Sequence, residues 1–231
     1  MLLWSQDPEQ TNHADDWMAK HFVLVSGNIG AGKTSLTDKL GERLGWETAF
    51  ESVDDNPYLA DFYADMQSWA FYLQIFFLGH RAKQHMAFAK SEVSAMIDRS
   101  IYEDAEIFAR AALELGTVTD RDFTTYRQVF DLVVSLLPTP DLLIYLKASV
   151  PVLMDRIQAR GRDMEGGVNA EYLALLGKYY DEWMARFDLC PTLTIHADDL
   201  DFVHRSSHLD IVVERIQDKL AGKEVIAFPD S

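Results

Sequence analysis

The chain alternates short apolar runs with longer stretches of helical period. Phe22-Val23-Leu24-Val25-Ser26, Trp46 to Phe50, Val93-Ser94-Ala95-Met96-Ile97, Leu142-Leu143-Ile144-Tyr145-Leu146 and Leu193-Thr194-Ile195 read as strands. The fourth is apolar almost throughout, as expected of a strand covered on both sheet faces. Between these runs the spacing predicts helices over 35–44, 58–90, 101–115, 120–137, 150–160, 170–187 and 204–220, with a break in the second near 66–68. Strands that alternate with helices predict an α/β fold: a five-stranded parallel sheet with helices on both faces. Residues 1–20 show no period and read as a loosely attached tail without chemistry, so the folded domain spans 21–231.

One helical stretch stands apart. From Ser68 to Lys90 it is apolar nearly all round (Trp69, Phe71, Tyr72, Leu73, Ile75, Phe76, Phe77, Leu78), which predicts burial. Gln74 lies in the middle, and a buried amide is costly unless something hydrogen-bonds it. Arg81 follows two turns later on the same face, and Tyr63 precedes by three turns if the helix is continuous. Such a line could floor a flat, polar ligand. It could equally be a satisfied core glutamine beside an arginine that reaches for solvent.

Composition narrows the classes. With 231 residues the chain suits one domain carrying a lid. A net charge of −16 argues against nucleic acid as a partner. The longest apolar run, Trp69 to Gly79, is too short to span a bilayer, and residues 1–21 lack the apolar segment of a secretion signal. The single Cys190 excludes an internal disulfide, suits a reducing cytoplasm and reads as a small core hydrophobe. An acidic chain that handles polyphosphate must gather its positive charge locally.

The loop after the first strand shows why polyphosphate enters the argument. Gly27-Asn28-Ile29-Gly30-Ala31-Gly32-Lys33-Thr34 fits G-x-x-x-x-G-K-S/T between a strand and a helix. Its glycines let backbone N–H groups close around phosphates, the helix dipole favours anions, and Lys33 adds a point charge. The Thr34 hydroxyl suits a Mg²⁺ that already carries phosphate oxygens. Two more strands end in reactive groups at the same edge, Glu51 after the second and Asp98-Arg99 after the third, where parallel sheets collect ligands. One acid can hold Mg²⁺, another can accept a proton, and the arginine can neutralise a phosphoryl group in transfer. Asp98 and Ser100 also suit the capping of the next helix.

The gathered cations appear later. Arg156 and Arg160 share a helix face, with Arg162 just beyond, and a loop over 161–169 could close on ATP as a lid spanning about 156–169. His204 and His208 lack a third ligand and read as helix surface. Asp198-Asp199-Leu200-Asp201 reads as a turn near the nucleotide, since it lacks a calcium-loop pattern.

Together these motifs resemble the P-loop deoxynucleoside kinases, and most of all the bacterial deoxyadenosine and deoxyguanosine kinases. The resemblance runs from Phe22 to the closing helix. It rests on Gly27 to Thr34, Glu51-Ser52-Val53-Asp54-Asp55-Asn56-Pro57-Tyr58, Gln74 to Leu78, Asp98-Arg99-Ser100-Ile101-Tyr102-Glu103-Asp104 and the arginine lid. It implies transfer of the ATP γ-phosphoryl to a deoxynucleoside 5′-hydroxyl, with Mg²⁺, in nucleotide salvage by a homodimer. Glu51 matches the carboxylate that takes the 5′-hydroxyl proton, and Arg99 the arginine that steadies that hydroxyl and the phosphoryl. Asp98 matches an acid usually tied to Mg²⁺, with proton acceptance as its other reading. Tyr63 and Glu165 match the pair on the 3′-hydroxyl, and Gln74 the amide that reads the base. Arg81 and Asp104 match a charged pair at the far edge of the base, which in that family goes with purine or cytosine. Two positions depart from the family pattern: Ser52 stands where proline is common, and Asp98 where glutamate is. A nucleoside monophosphate kinase would need extra cations for the acceptor phosphate near Tyr63 or Gln74, and a guanine-nucleotide switch would need Asn-Lys-x-Asp; neither is present.

Overall fold

The computed structural model describes residues 20–50, 56–161, 168–203 and 205–222. All five expected strands form: β1 (Phe22–Gly27), β2 (Glu47–Ala49), β3 (Ala95–Asp98), β4 (Leu142–Lys147) and β5 (Thr192–His196). They make one parallel sheet in the order β2-β3-β1-β4-β5. β1 and β3 are buried from end to end, which explains why they read as unbroken apolar runs. Edge strand β5 is only partly covered.

Successive residues of β1 face opposite ways and divide the core. Phe22 and Leu24 face one layer with Ile97, Leu143, Tyr126, Tyr180 and Trp183. Val23 and Val25 face the other, with Ile144, Leu36, Leu40, Leu153 and Val212. The helices that supply these layers are α1 (Lys33–Leu44), α2 (Leu59–Ala64), α3 (Met66–Ala89), α4 (Ile101–Glu103), α5 (Arg110–Glu114), α6 (Asp120–Val134), α7 (Val150–Arg160), α8 (Ala170–Met184) and α9 (Ser206–Leu220). Between α4 and α5 the chain widens into a π-helical segment, Asp104–Ala109. Cys190 packs against the first layer, and burial lifts its thiol to about 12, so it stays an inert thiol. No described helix is long and apolar enough to cross a membrane.

Two expectations about the apolar helix need correction. The break is complete: α2 ends at Ala64, and Asp65 caps α3 by accepting the Ser68 amide at 3.2 Å. Tyr63 therefore sits on a separate helix, and Tyr63, Gln74 and Arg81 do not line one continuous face. Nor is α3 buried all round. Ala70, Leu73, Leu78, Arg81 and His85 are buried, Phe71, Ile75, Phe76 and Phe77 are half-buried, and Tyr72 is exposed. Aromatic residues around the whole helix signal apolar surroundings without saying which chain provides them.

Candidate active site

β1 lies between β3 and β4, so the chain reverses its winding direction at the carboxyl end of β1. That reversal opens the crevice where α/β sheets bind ligands. The phosphate loop fills it. Gly27 has φ 150°, and a Cβ there would stand 2.6 Å from the Leu146 carbonyl oxygen. At Gly30, φ 82°, a Cβ would meet the Leu153 carbonyl oxygen at 2.9 Å. The glycines thus let the loop press onto β4 and α7 as well as turn. Lys33 arches back over the loop, donating to the carbonyls of Gly27 at 2.8 Å and Asn28 at 3.0 Å.

From β3, Asp98 reaches across to α1. Thr34 Oγ1 donates to Asp98 Oδ2 at 2.5 Å. The second oxygen, Oδ1, is buried and accepts no hydrogen bond among the described residues. A buried carboxylate oxygen without a donor, beside a hydroxyl, is the kind of hard oxygen set that Mg²⁺ takes together with substrate phosphates. Thr34 and Asp98 therefore fit the ion expected of them. Ser100, rather than Asp98, caps the following helix: its hydroxyl accepts the Glu103 amide at 3.3 Å, and its own amide donates to Glu103 Oε2 at 2.8 Å.

Arg99, between them, has φ 72°, the one positive value at a non-glycine residue among those described. Such a conformation costs on the order of 1–3 kcal/mol and persists where neighbours enforce it. Here the Arg99 amide donates to Val25 O at 2.8 Å, and the guanidinium lies 4.5 Å over the Phe108 ring. The π-helical turn puts Asp104 and Phe108, four residues apart, on one side. Asp104 then meets Arg81 of α3, Oδ2 to Nε at 2.7 Å, with side chains 5% and 2% exposed. Gln74 Oε1, two turns along α3 from Arg81, is buried and accepts no hydrogen bond among the described residues.

Other expected residues are placed less centrally. Tyr63 is 48% exposed on α2. Arg156 donates from Nη1 to Ala31 O at 3.1 Å and from Nη2 to Ala197 O at 2.6 Å. It braces the loop against the end of β5, and it lines the same cleft as Arg160. Exposed Arg160 lines a cleft of about 440 Å³ with Gly30, Gly32, Ser35, Asp199 and Phe202. The aspartate turn borders that cleft as expected, held by Ser149 N to Asp198 Oδ1 at 2.8 Å and Asp201 N to His208 Nδ1 at 3.1 Å. Glu51, Arg162, Glu165 and His204 lie outside the described residues. The last described residue before Glu51, Phe50, is tied to α3 by Gln84 Nε2 at 3.2 Å.

The motif reading missed three groups: Phe108 under Arg99, the buried pair Glu103 and Tyr180, and Tyr172. Burial pushes the Tyr172 phenol above its usual range, the Arg99 charge opposes this, and Tyr63 adds to it. Tyr172 lies just inside the Asn169-capped start of α8, its amide donating to Asn169 Oδ1 at 2.8 Å.

The model of the deoxynucleoside kinase family matches residues 23–221. The chain belongs to that family. A deoxyadenosine/deoxycytidine kinase of Bacillus subtilis is 37% identical over 196 residues, covering 84% of this chain and 90% of that one. A deoxyguanosine kinase of Lactobacillus acidophilus is 37% identical over 216 residues, 90% of this chain and 93% of the relative. Deoxyadenosine kinase from M. mycoides with dATP bound superposes with a TM-score of 0.75 at 29% identity, over 84% of this chain and 98% of that one. The five-stranded sheet and its phosphate loop are thus the P-loop kinase fold, and this chain is a deoxynucleoside kinase.

The backbone at Arg99 generates a prediction. Arg99→Ala and Arg99→Gly remove the same guanidinium, but only glycine accepts φ 72° without strain. Thermal or urea unfolding should show the glycine variant more stable than the alanine variant by about 1 kcal/mol, with turnover lost in both. Equal stability would mean that the turn relaxes once the side chain is gone.

Proposed function

We propose that this deoxynucleoside kinase transfers the γ-phosphoryl of ATP to the 5′-hydroxyl of a purine deoxynucleoside, deoxyadenosine or deoxyguanosine, in nucleotide salvage. The observation that carries the base class is the buried Arg81–Asp104 pair beside the unsatisfied Gln74 carbonyl. A fixed carboxylate and an amide carrying both donor and acceptor suit a base edge with an amino group next to a ring nitrogen. The names of the Lactobacillus and M. mycoides relatives agree with a purine. Deoxycytidine is the second reading, since cytosine has the same kind of edge and the B. subtilis relative is named for both bases.

The roles rest on the motif matches. Glu51, at the exit of β2, takes the 5′-hydroxyl proton, while Tyr63 and Glu165 hold the 3′-hydroxyl. Arg99 places its charge where the phosphoryl group passes. Lys33 leaves the carbonyls of Gly27 and Asn28 for the phosphates, and Arg160 and Arg162 add charge from the lid side. Arg156 shapes the nucleotide cleft. Thr34 and Asp98 hold Mg²⁺, which offsets charge on the phosphate oxygens. The single cysteine and acidic composition support a cytoplasmic enzyme. A homodimer is supported by uncovered apolar surface on two helices packed together: Tyr72 on α3, and Val129 and Leu132 on α6 with Leu136 beyond it.

Three outcomes are expected. In competition among the four deoxynucleosides with ATP, deoxyadenosine or deoxyguanosine should be consumed first, and Arg81→Met with Asp104→Ala should admit thymidine. A deoxycytidine preference would favour the second reading, and an unchanged profile in the double variant would move base choice elsewhere. Glu51→Gln should lower kcat roughly a hundredfold while nucleoside binding persists, as the loss of a general base does. Light scattering should give twice the chain mass, and Leu132→Lys should halve it. A monomeric wild type would remove the dimer.

A further inference from the structure

One fully buried acid has no part in the chemistry above. Glu103 is 0% exposed, and its carboxylate accepts five hydrogen bonds from neutral donors. Oε2 takes the Ser26 hydroxyl at 2.8 Å, the Ser100 amide at 2.8 Å and the Ser100 hydroxyl at 3.2 Å. Oε1 takes the Gly27 amide at 3.2 Å and the Tyr180 hydroxyl at 2.6 Å. An ionised carboxylate is a costly group to bury, and a capping box alone does not need it at this depth.

The pattern of donors shows what it joins. Ser26 and Gly27 begin the phosphate loop, Ser100 follows the strained Arg99, and Tyr180 comes from α8. Gly27 is held at both ends: Glu103 Oε1 accepts its amide at 3.2 Å, and the single Tyr180 hydroxyl proton is shared between its carbonyl at 2.8 Å and Glu103 Oε1 at 2.6 Å. Lys33 shares that same carbonyl. When Lys33 turns towards phosphate, Gly27 O keeps its share of the Tyr180 hydroxyl and Asn28 O keeps the Ala31 amide at 3.1 Å. Asn28 adds a further tie to α8, donating to Leu173 O at 2.9 Å. Burial pushes the Tyr180 phenol well above its ordinary range, so it remains a donor at any physiological pH.

We propose that Glu103 and Tyr180 are positioning residues for phosphoryl transfer: together they set the phosphate loop at a fixed distance from the turn that carries Arg99. The inference rests on the roles assigned above to Lys33 and Arg99. Neither Glu103 nor Tyr180 touches substrate. They hold two charged groups in line, where a displacement of about 1 Å costs on the order of a hundredfold in rate.

The test compares wild type with Glu103→Gln and Tyr180→Phe. The phenylalanine keeps the ring that stacks on Tyr145, centroids 5.5 Å apart, and loses only the hydroxyl, so it guards against failure of the glutamine variant to fold. Initial rates with ATP and a deoxynucleoside, normalised to nucleotide-binding sites, should show kcat at least tenfold lower in both variants. The deoxynucleoside KM should stay within twofold. Hydrogen exchange of a peptide covering 26–34 should rise in Tyr180→Phe. A lowered melting temperature with kcat per site within twofold of wild type would overturn the proposal, as would unchanged exchange in 26–34. A wild type that phosphorylates no deoxynucleoside would instead overturn the functional reading, and the exchange measurement would still decide the clamp.

Discussion

The site depends on two strand ends lying side by side. β1 and β3 are hydrogen-bonded neighbours with Val25 opposite Asp98, so the phosphate loop that starts at Gly27, the last residue of β1, and Arg99 just after β3 emerge side by side at one edge of the sheet. The phosphate loop must turn there because Gly27 and Gly30 press against carbonyls of β4 and α7. Arg99 must turn there because its amide is held by Val25 O. A parallel sheet makes this possible, since all its strands deliver their carboxyl ends to one edge.

The buried polar groups around that edge separate into two kinds. Some are satisfied internally and serve as framework: Glu103 with its five donors, and Arg156 with the carbonyls of Ala31 and Ala197. Others keep an oxygen without a donor among the described residues, as Asp98 Oδ1 and Gln74 Oε1 do. Desolvating such an atom costs about 1–3 kcal/mol when nothing answers it. These are the two oxygens at the site that nothing within the described residues answers.

Much of this was legible along the chain, and the reasons differ by element. Strands covered on both faces write themselves as apolar runs, so β1, β3 and β4 could be read directly. The phosphate loop was legible because backbone amides that surround an anion need glycine at fixed spacing. Gln74 stood out because an amide in an apolar run has few explanations. The break before α3 was only half located, because Asp65 acts as a cap through one hydrogen bond that no periodicity records. The breadth of the apolar surface on α3 misled, since composition does not tell a side chain buried in the core from one left half-exposed, as Phe71, Ile75, Phe76 and Phe77 are.

By itself the sequence determined what chemistry is available: a glycine loop with lysine and threonine, acids and an arginine at strand ends, and a lone amide in an apolar helix. These are local facts, each written within a few residues of chain. Only the tertiary structure decided how they are held. Glu103 meets Gly27 across 76 positions and Tyr180 meets the same glycine across 153. Arg99 meets Phe108 nine positions on, within the π-helical segment Asp104–Ala109. Contacts of that separation arise from packing geometry, which leaves no periodic mark on the chain.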